Sequence, residues 1–410
     1  MRVLVVNTYH YARGGAEVHA LALASALADA GHDVRFFGMH DPRNEPSPDS
    51  SYWTPNIDYA ELNRSKSPTA AFEVLRRSLY SSDAARRIGA LVDDWRPDVA
   101  HVHNIHAHLT LSVVVQLHRR GIPVVWTLHD YKLICPNTSL AVRGDVCERC
   151  KGGRFMQCTL NRCKKDSMAA SFVATLEAEV GKLVDPQKQV ARFIAPSAFL
   201  MRKFGEFGWD TSKFVHIPNF APADEVPVAR APVPGRFVYT GRLDRSKGVG
   251  TLLEAVGRAP DVSLDIAGEG PIGGEMRALA ETVAPGRVTF HGRVDAARLA
   301  TLRDAARAVV VPSEWYENSP YAVLEAFTRG CPVVAADIGG LPELIQDGDN
   351  GLLFASGDSD DLVRALRRLV DEPGLSERLD EGALGAAQNY RIDEYVDRLM
   401  RVYGSSTHRE

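Results

Sequence analysis

Short apolar and β-branched runs alternate with segments of helical periodicity along the whole chain, a pattern that predicts parallel sheets covered by helices on both faces. The first half contains the candidate strands "RVLVVN", "VRFFGM", "VAHVH", "IPVVWTLHD", "RFIAPS" and "FVHIPN". The second half contains "RFVYTG", "SLDIAG", "VTFHG", "AVVVPS", "PVVAA" and "GLLFA". Between them lies the Pro-rich passage "APADEVPVARAPVPG", which suits a linker because proline removes ladder donors and disfavours helix. The pattern therefore predicts an α/β fold with two doubly wound, Rossmann-like domains.

The predicted domains are residues 1–220, with a cysteine-rich insertion at 135–163, and residues 221–390. Each opens with a buried strand, a glycine-bearing loop and an amphipathic helix, a geometry that presents backbone N–H groups to an anion. Ligands of such sheets bind at the carboxyl ends of the strands, so two domains facing each other across that edge would form one cleft. The last segment, 391–410, predicts a helix; packing back on the N-terminal domain is one option that periodicity leaves open.

Composition narrows the function classes. The chain has 410 residues, 45% hydrophobic and 24% charged, with a net charge of -4, so it lacks the global basic field that draws a protein onto nucleic acid. The opening "MRVLVVNTYH" contains an apolar run of only four residues, shorter than the core of a signal peptide. No apolar run approaches the ~18 residues of a membrane span. We therefore expect a cytoplasmic protein without a nucleic-acid partner.

The stretch "EWYENSPYAVLEAF" places two glutamates, Glu317 and Glu325, eight residues apart. Asn318 or Ser319 is expected to cap the helix that follows, and Pro320 suits its first turn. Carboxylates repel phosphates but accept hydrogen bonds from sugar diols, so the pair predicts a nucleotide-sugar site with the diphosphate at the helix N-terminus. The alternative is that Glu317 is a solvated loop residue and Glu325 a surface residue of the helix.

Positive charges for a diphosphate occur in "YTGRLDRSKG". Arg242 follows Gly241 at the end of a strand, and Lys247 precedes Gly248 at the start of the next helix. A guanidinium fork and an ammonium group could therefore meet the phosphates together. The alternative is that both are exposed bases of a loop.

These motifs resemble those of the retaining glycosyltransferases of family 4, which have the GT-B architecture. "ENSPYAVLE" is similar to the Glu-x7-Glu motif of that family, and "GRLDRSKG" is similar to its diphosphate clamp. The resemblance extends over nearly the whole chain through "GGAE", "PSAF", "IPN", "AGEGP" and "GCPVVAADIGGLPELI". The chain departs from the family where Asn318-Ser319-Pro320 replaces the usual Gly-Gly or Phe-Gly, which leaves the donor preference open.

The resemblance implies transfer of a hexose-type sugar from a nucleotide diphosphate to a hydroxyl acceptor, with retention of configuration and no metal in the chemistry. It implies that Glu317 holds the donor sugar, that Glu325 holds the ribose, and that His129, in "TLHD", positions the reacting sugar. The implied catalytic residues are His129, Arg242, Lys247 and Glu317. The implied donor-binding residues are Gly14, Gly15, Gly241, Arg242, Lys247, Gly268, Arg293, Val294, Glu317, Asn318, Ser319 and Glu325. A nucleotide-sugar 2-epimerase and a non-catalytic partner subunit of a transferase are the alternative functions.

Three other patterns suggest a cofactor site, a metal site and a helix cap, with weaker support. "GEGPIG" has the glycine spacing of a dinucleotide site, but "VTFHGR" supplies an arginine where an NAD site has an acidic residue. "HVHNIHAH" places His101 and His103 on one side of a strand, without a carboxylate to complete a metal site. The Asp358-x-Asp360 pair precedes a helix and is expected to cap it.

Five of the six cysteines crowd between Cys135 and Cys163, so they are a local feature. Cys147, Cys150, Cys158 and Cys163 form two close pairs, a spacing that predicts a structural zinc site. Disulfides and free thiols are the alternatives.

The acceptor is expected to be a sugar or a lipid-linked glycan. A basic, partly apolar segment could lie on the inner face of a membrane or form a solvated helix face; its basic residues are Arg64, Lys66, Arg76, Arg77, Arg86 and Arg87.

Overall fold

The computed structural model describes residues 1–56, 75–106, 108–221 and 230–407. In chain order its strands are β1 (Arg2–Val6), β2 (Asp33–Phe37), β3 (Val99–Val102), β4 (Val124–Thr127), β5 (Ala141–Val142), β6 (Asp145–Val146), β7 (Arg192–Ala195), β8 (Phe214–His216), β9 (Arg236–Thr240), β10 (Ser263–Ala267), β11 (Val288–Gly292), β12 (Ala308–Val311), β13 (Val333–Ala336) and β14 (Gly351–Phe354).

The α-helices that have defined bounds are α1 (Gly15–Asp29), α2 (Ser82–Trp95), α3 (Ser112–Arg119), α4 (Met156–Leu160), α5 (Met168–Val184), α6 (Pro186–Gln189), α7 (Ala198–Glu206), α8 (Val249–Arg258), α9 (Gly273–Val283), α10 (Ala296–Ala305), α11 (Tyr321–Thr328), α12 (Leu341–Leu344), α13 (Ser359–Asp371), α14 (Leu375–Ala387) and α15 (Ile392–Thr407). In the described ranges, no helix combines the length and apolar character needed to cross a membrane.

The chain folds into two compact units. Unit 1 contains Met1–Ser139, Glu148–Pro218 and Asp393–Glu410, and unit 2 contains Leu140–Cys147 and Asn219–Ile392. The predicted boundary after residue 220 lies two residues beyond the observed one, whereas the predicted boundary after residue 390 lies two residues before the observed one. The short hairpin of β5 and β6 groups with unit 2, although the prediction placed the whole cysteine-rich segment in the first domain.

Unit 1 is built on a parallel sheet with the order β2-β1-β3-β4-β7-β8. Its central strands β3 and β4 are buried at every position, as expected for strands covered by helices on both faces. The C-terminal helix α15 belongs to this unit and contributes two tyrosines to it. Tyr403 Oη lies 2.6 Å from His101 Nδ1, and Tyr395 Oη lies 3.2 Å from His19 Nε2. These contacts show that the C-terminal helix packs on unit 1, which the periodicity of the sequence alone could not decide.

Unit 2 is built on a parallel sheet with the order β11-β10-β9-β12-β13-β14. Alternate residues of β12 belong to different hydrophobic clusters: Val310 packs with Leu252 and Leu366, whereas Val309 packs with Leu324 and other residues of α11. The sheet is therefore covered on both faces, so the predicted α/β architecture of two doubly wound sheets is confirmed. Asp358 caps α13 by accepting hydrogen bonds from the backbone N–H groups of residues 360 and 361, as predicted.

Candidate functional site

The carboxyl ends of β9, β10 and β12 meet in unit 2, where glycines let the backbone come close together. Gly241 follows β9 and Gly268 follows β10; a Cβ on Gly268 would lie 1.8 Å from the carbonyl oxygen of Gly241. Gly248 adopts a φ of +66°, and a Cβ there would lie 1.7 Å from the carbonyl oxygen of Pro312. Side chains at Gly248 and Gly268 would therefore push the strand ends apart.

Glu317 follows β12 and is the centre of a hydrogen-bond network, although its side chain is almost fully buried. Its Oε1 accepts hydrogen bonds from Lys247 Nζ at 2.6 Å, Ser313 Oγ at 2.7 Å and Trp315 Nε1 at 2.8 Å. Lys247 also lies 4.7 Å from the centre of the Trp315 ring. The backbone of Glu317 is held as well, because its carbonyl accepts a 2.7 Å hydrogen bond from the Gly340 N–H.

The charge of Glu317 is stabilised by this network. Burial alone would raise the pKa of its carboxyl, but the Lys247 charge and the hydrogen bonds from Lys247, Ser313 and Trp315 outweigh burial and lower the pKa below its ordinary value. Glu317 is therefore an ionised acceptor at neutral pH, and it is not the solvated loop residue of the alternative reading.

The two predicted phosphate ligands differ in their surroundings. Arg242 is exposed, and within the described residues its side chain has no ion-pair partner. Lys247 is instead paired with Glu317, and its side chain is 26% exposed. Arg242 is thus available to a diphosphate, whereas Lys247 already forms an ion pair with Glu317.

The start of α11 differs from the prediction. Pro320 is the N-cap residue and the helix begins at Tyr321, so neither Asn318 nor Ser319 caps it. The physical reason is that Ser319 already lies outside the helix, where its carbonyl accepts a 2.9 Å hydrogen bond from Asn219 Nδ2.

Two buried polar atoms at this place lack a partner. Ser319 Oγ and Asn219 Oδ1 have no hydrogen bond within the part of the chain that the structure describes. Buried polar atoms are nearly always paired in proteins. A polar ligand at the start of α11 would therefore fit the residues present.

Glu325 lies on α11 with its side chain 26% exposed and forms an ion pair with Arg303 of α10, which is 1% exposed. Glu325 is therefore not simply a surface residue of the helix, as the alternative had it, because the buried Arg303 guanidinium fixes its carboxylate. Among the remaining predicted donor residues, Arg293 follows β11 and is exposed, and Val294 packs against the core cluster next to α11.

The unit 1 candidates form a separate group. Gly14 is the N-cap of α1 and Gly15 begins that helix. His129 lies two residues after β4, and its Nε2 is 3.0 Å from His103 Nδ1. The ring of His103 stacks on that of His101, with 4.4 Å between the centroids, as the strand alternation predicts. In the described ranges, no set of three or more His, Cys, Asp or Glu residues is arranged to hold a metal ion.

The histidines of this group are neutral at ordinary pH. Burial lowers the pKa of His129 to about 4, and burial together with the neighbouring His129 lowers the pKa of His101 to about 3. A neutral imidazole can accept or donate a hydrogen bond to a sugar hydroxyl but supplies no positive charge.

Comparison with known proteins decides the family. The model of glycosyltransferase family 4 matches residues 13–225, just over half of the chain, and the model of group 1 glycosyl transferases matches residues 228–384. The chain belongs to glycosyltransferase family 4. The predicted family and the predicted enzyme class, a glycosyltransferase of glycan biosynthesis, are confirmed.

Several relatives of this family-4 glycosyltransferase are similar over almost their whole length. The glycogen synthase of Mycobacterium tuberculosis is 28% identical, and the match covers 92% of this chain and 88% of that protein. The D-inositol 3-phosphate glycosyltransferase of Actinosynnema mirum is 26% identical over 96% of this chain and 92% of that protein. The structure of Anabaena Alr3699/HepE in complex with UDP superposes with a TM-score of 0.71 at 17% identity, covering 99% of this chain and 100% of that one. That structure shows the shared fold.

The sequence predicts that Cys147, Cys150, Cys158 and Cys163 of this glycosyltransferase hold a zinc ion. Cys147 groups with unit 2, whereas Cys150, Cys158 and Cys163 belong to unit 1. Cys158 and Cys163 are neighbours, and the hydrogen bond from Cys163 lowers the pKa of the Cys158 thiol to about 7. Cys158 and Cys163 thus lie together, and zinc binding stays a prediction.

Sequence reasoning missed three residues that contact Glu317 or Glu325, namely Ser313, Trp315 and Arg303. Ser313 and Trp315 lie within four residues of Glu317, so a search for donors near that carboxylate could have found them. Arg303 lies 22 positions before Glu325 on another helix, and no local signal connects the two.

Proposed function

We propose that this glycosyltransferase binds a nucleotide-diphosphate sugar in unit 2 and transfers the sugar, with retention of configuration, to a hydroxyl acceptor. The observation that carries the proposal is the buried, ionised Glu317, held by Lys247, Ser313 and Trp315 at the carboxyl edge of the sheet. A fixed carboxylate of this kind suits the hydroxyl groups of a sugar.

The remaining unit 2 residues suit the nucleotide. Glu325, oriented by Arg303, can accept hydrogen bonds from both ribose hydroxyls. The N-terminus of α11 and the exposed Arg242 suit the diphosphate, because both carry positive electrostatic potential. The unpartnered Ser319 Oγ and Asn219 Oδ1 could bond a polar group of the same ligand.

In the proposed reaction, the acceptor hydroxyl attacks the anomeric carbon from the face that the diphosphate leaves. The C–O bond to the diphosphate breaks, a new C–O bond to the acceptor forms, and the acceptor's proton passes to a diphosphate oxygen. Arg242 and Lys247 stabilise the charge that develops on the leaving diphosphate. His129, being neutral, positions a hydroxyl of the reacting sugar and does not act as a cation.

The acceptor is proposed to be a sugar or a lipid-linked glycan that enters beside unit 1. A cavity of about 210 Å³ in that unit supports a binding role for it. Its lining includes Leu111, Phe155 and Trp209, together with Lys132 and Glu177, which form a 2.6 Å ion pair.

A ligand screen tests the donor proposal. UDP, GDP, ADP and their sugars are added singly, and unfolding is followed by heating; UDP is the first choice because the Anabaena protein of the same fold was solved with UDP and with UDP-glucose. A ligand at 100 times its Kd should stabilise the protein by about 2.7 kcal/mol. The Glu325→Ala variant is the control and should lose most of the shift.

Product analysis then separates transfer from the alternatives. Incubation with the donor alone should yield no epimer, and incubation with an acceptor should yield a product of the donor's anomeric configuration by NMR. Conversion of the donor without any acceptor would establish the 2-epimerase, and the absence of a shift with every nucleotide would contradict a donor site in unit 2.

A further inference from the structure

The α4–α5 hairpin of unit 1 buries several hydroxyl side chains between its helices. Thr159 Oγ1 lies 2.8 Å from Thr175 Oγ1, and Ser171 Oγ accepts a 2.9 Å hydrogen bond from the Lys164 N–H. The buried residues of α5 are Ser171, Ala174 and Thr175. A helix in a soluble protein ordinarily directs its large apolar residues inward.

Four large apolar residues of this hairpin are exposed to solvent. Met156 is 51% exposed and Leu160 is 68% exposed, one turn apart on α4. Met168 is 53% exposed and Phe172 is 45% exposed, one turn apart on α5. Since residues i and i+4 share a helix face, each helix carries one exposed apolar stripe, and both stripes adjoin the loop that joins the helices. Clustered exposure of this kind marks an interaction surface.

The loop between the stripes is basic. It contains Arg162 and Lys165, both exposed, within the sequence "NRCKKDS". Residues 149–167 contain six basic residues and one acidic residue, a local net charge of +5, in a chain whose net charge is -4. We call the surface formed by Met156, Leu160, Arg162, Lys165, Met168 and Phe172 the hairpin tip.

We propose that the hairpin tip docks this enzyme onto an anionic lipid bilayer. The combination of apolar side chains with flanking cations fits a bilayer, because the apolar groups can enter the acyl boundary while the cations remain level with lipid phosphates. The surface is independent of the donor site, so the proposal does not rest on the assignment of the substrates.

The basic segment identified in the sequence is a weaker candidate for the same role. Arg64 and Lys66 lie outside the described residues. Arg86 and Arg87 both contact Asp83, at 2.5 and 2.9 Å, so part of their charge is neutralised on the helix itself. The hairpin tip, by contrast, combines cations with exposed apolar groups.

Vesicle sedimentation with the full chain tests the proposal. We expect binding to vesicles of phosphatidylcholine with about one third phosphatidylglycerol, weaker binding as salt rises, and little binding to phosphatidylcholine alone. Arg162→Gln/Lys165→Gln should weaken binding about tenfold or more, and Leu160→Ser/Met168→Ser should do the same.

Matched controls separate docking from general surface effects. Leu384→Ser removes an exposed apolar residue of unit 2, and Lys188→Gln/Arg364→Gln removes two exposed cations elsewhere; both should bind like the parent. As a second measurement, Leu160→Trp should gain fluorescence that is quenched by brominated lipid, beyond the quenching of the parent.

The contrary results are equally specific. No sedimentation with either vesicle, or binding unchanged in both hairpin-tip variants, would overturn the proposal. A concentration-dependent dimer that both variants abolish would show instead that the hairpin tip is a contact between copies of this chain.

Discussion

Lys247 donates a 2.6 Å hydrogen bond to Glu317, 70 positions further along the chain. This pair joins the two motifs from which the site was predicted, and it links the proposed diphosphate clamp to the carboxylate proposed to bind the sugar. Loss of either Lys247 or Glu317 should therefore affect both stability and turnover, although each motif taken alone predicts an effect on ligand binding only.

Lys247→Met should cost both stability and turnover. It leaves the buried Glu317 carboxylate without its cation, so we expect a loss of about 1–3 kcal/mol in the free energy of unfolding. Arg242→Ala is the matched comparison: because Arg242 is exposed, stability should change by less than ~0.5 kcal/mol, while kcat falls by about 10²–10³. Denaturant titration and steady-state kinetics measure the two effects. Equal destabilisation by both variants would contradict the difference in burial.

The two glutamates should separate nucleotide binding from transfer. Glu325→Ala removes a charged acceptor for the ribose and should weaken free UDP binding by about tenfold or more. Glu317→Ala should lower kcat strongly, yet leave the affinity for free UDP unchanged or higher, because Lys247 is released towards the phosphates. Calorimetric titration with UDP and kinetics with UDP-glucose measure both. Similar losses of UDP affinity in the two variants would refute this division of roles.

Arg303 should act through Glu325. Arg303→Met should raise the KM for the donor with a smaller effect on kcat, and Arg303→Lys should restore part of the affinity because a cation returns. Arg329→Met is the matched control, since it breaks another nearly buried ion pair of unit 2, with Asp304. The control should lose stability and keep its donor KM. A raised KM in the control as well would show a general effect of unit 2 destabilisation.

The sequence predicted the strands well because a buried parallel strand is a local pattern, as "AVVV" and "VVWT" show. It predicted Glu317 and Lys247 as site residues but not their contact, because pairing across 70 positions depends on how the sheet orders its strands. It misplaced the cap of α11, because the Asn219 contact with Ser319 spans 100 positions. The C-terminal helix was left open for the same reason.

The cysteine spacing predicts about one zinc ion per chain, and metal analysis of protein purified without chelator checks it. The content should fall in Cys158→Ser and stay unchanged in Cys135→Ser, the control outside the two pairs. A content far below one per chain would contradict the prediction.

The buried histidines of unit 1 should make its stability depend on pH. His101 and His129 have folded-state pKa values of about 3 and about 4, whereas an unfolded histidine titrates near 6.5. Because the folded pKa is lowered, the unfolded chain binds more protons below pH 6.5. The stabilisation is therefore complete above about pH 6.5 and is lost progressively as the pH falls towards 4.

Comparing the free energy of unfolding at pH 7.5 and 5.5 measures this effect before most carboxylates titrate. Each such histidine should contribute a loss of about 1.4 kcal/mol over that interval, so His101→Asn should reduce the pH dependence by about that amount even if the variant is less stable throughout. Exposed His118→Asn is the control and should leave the pH dependence unchanged. Tryptophan fluorescence is a suitable probe, since Trp53, Trp95, Trp126 and Trp209 lie in unit 1 and only Trp315 lies in unit 2.

The same pH dependence in the parent and in His101→Asn would mean that His101 is not neutral and buried in solution, and that the acid sensitivity arises elsewhere.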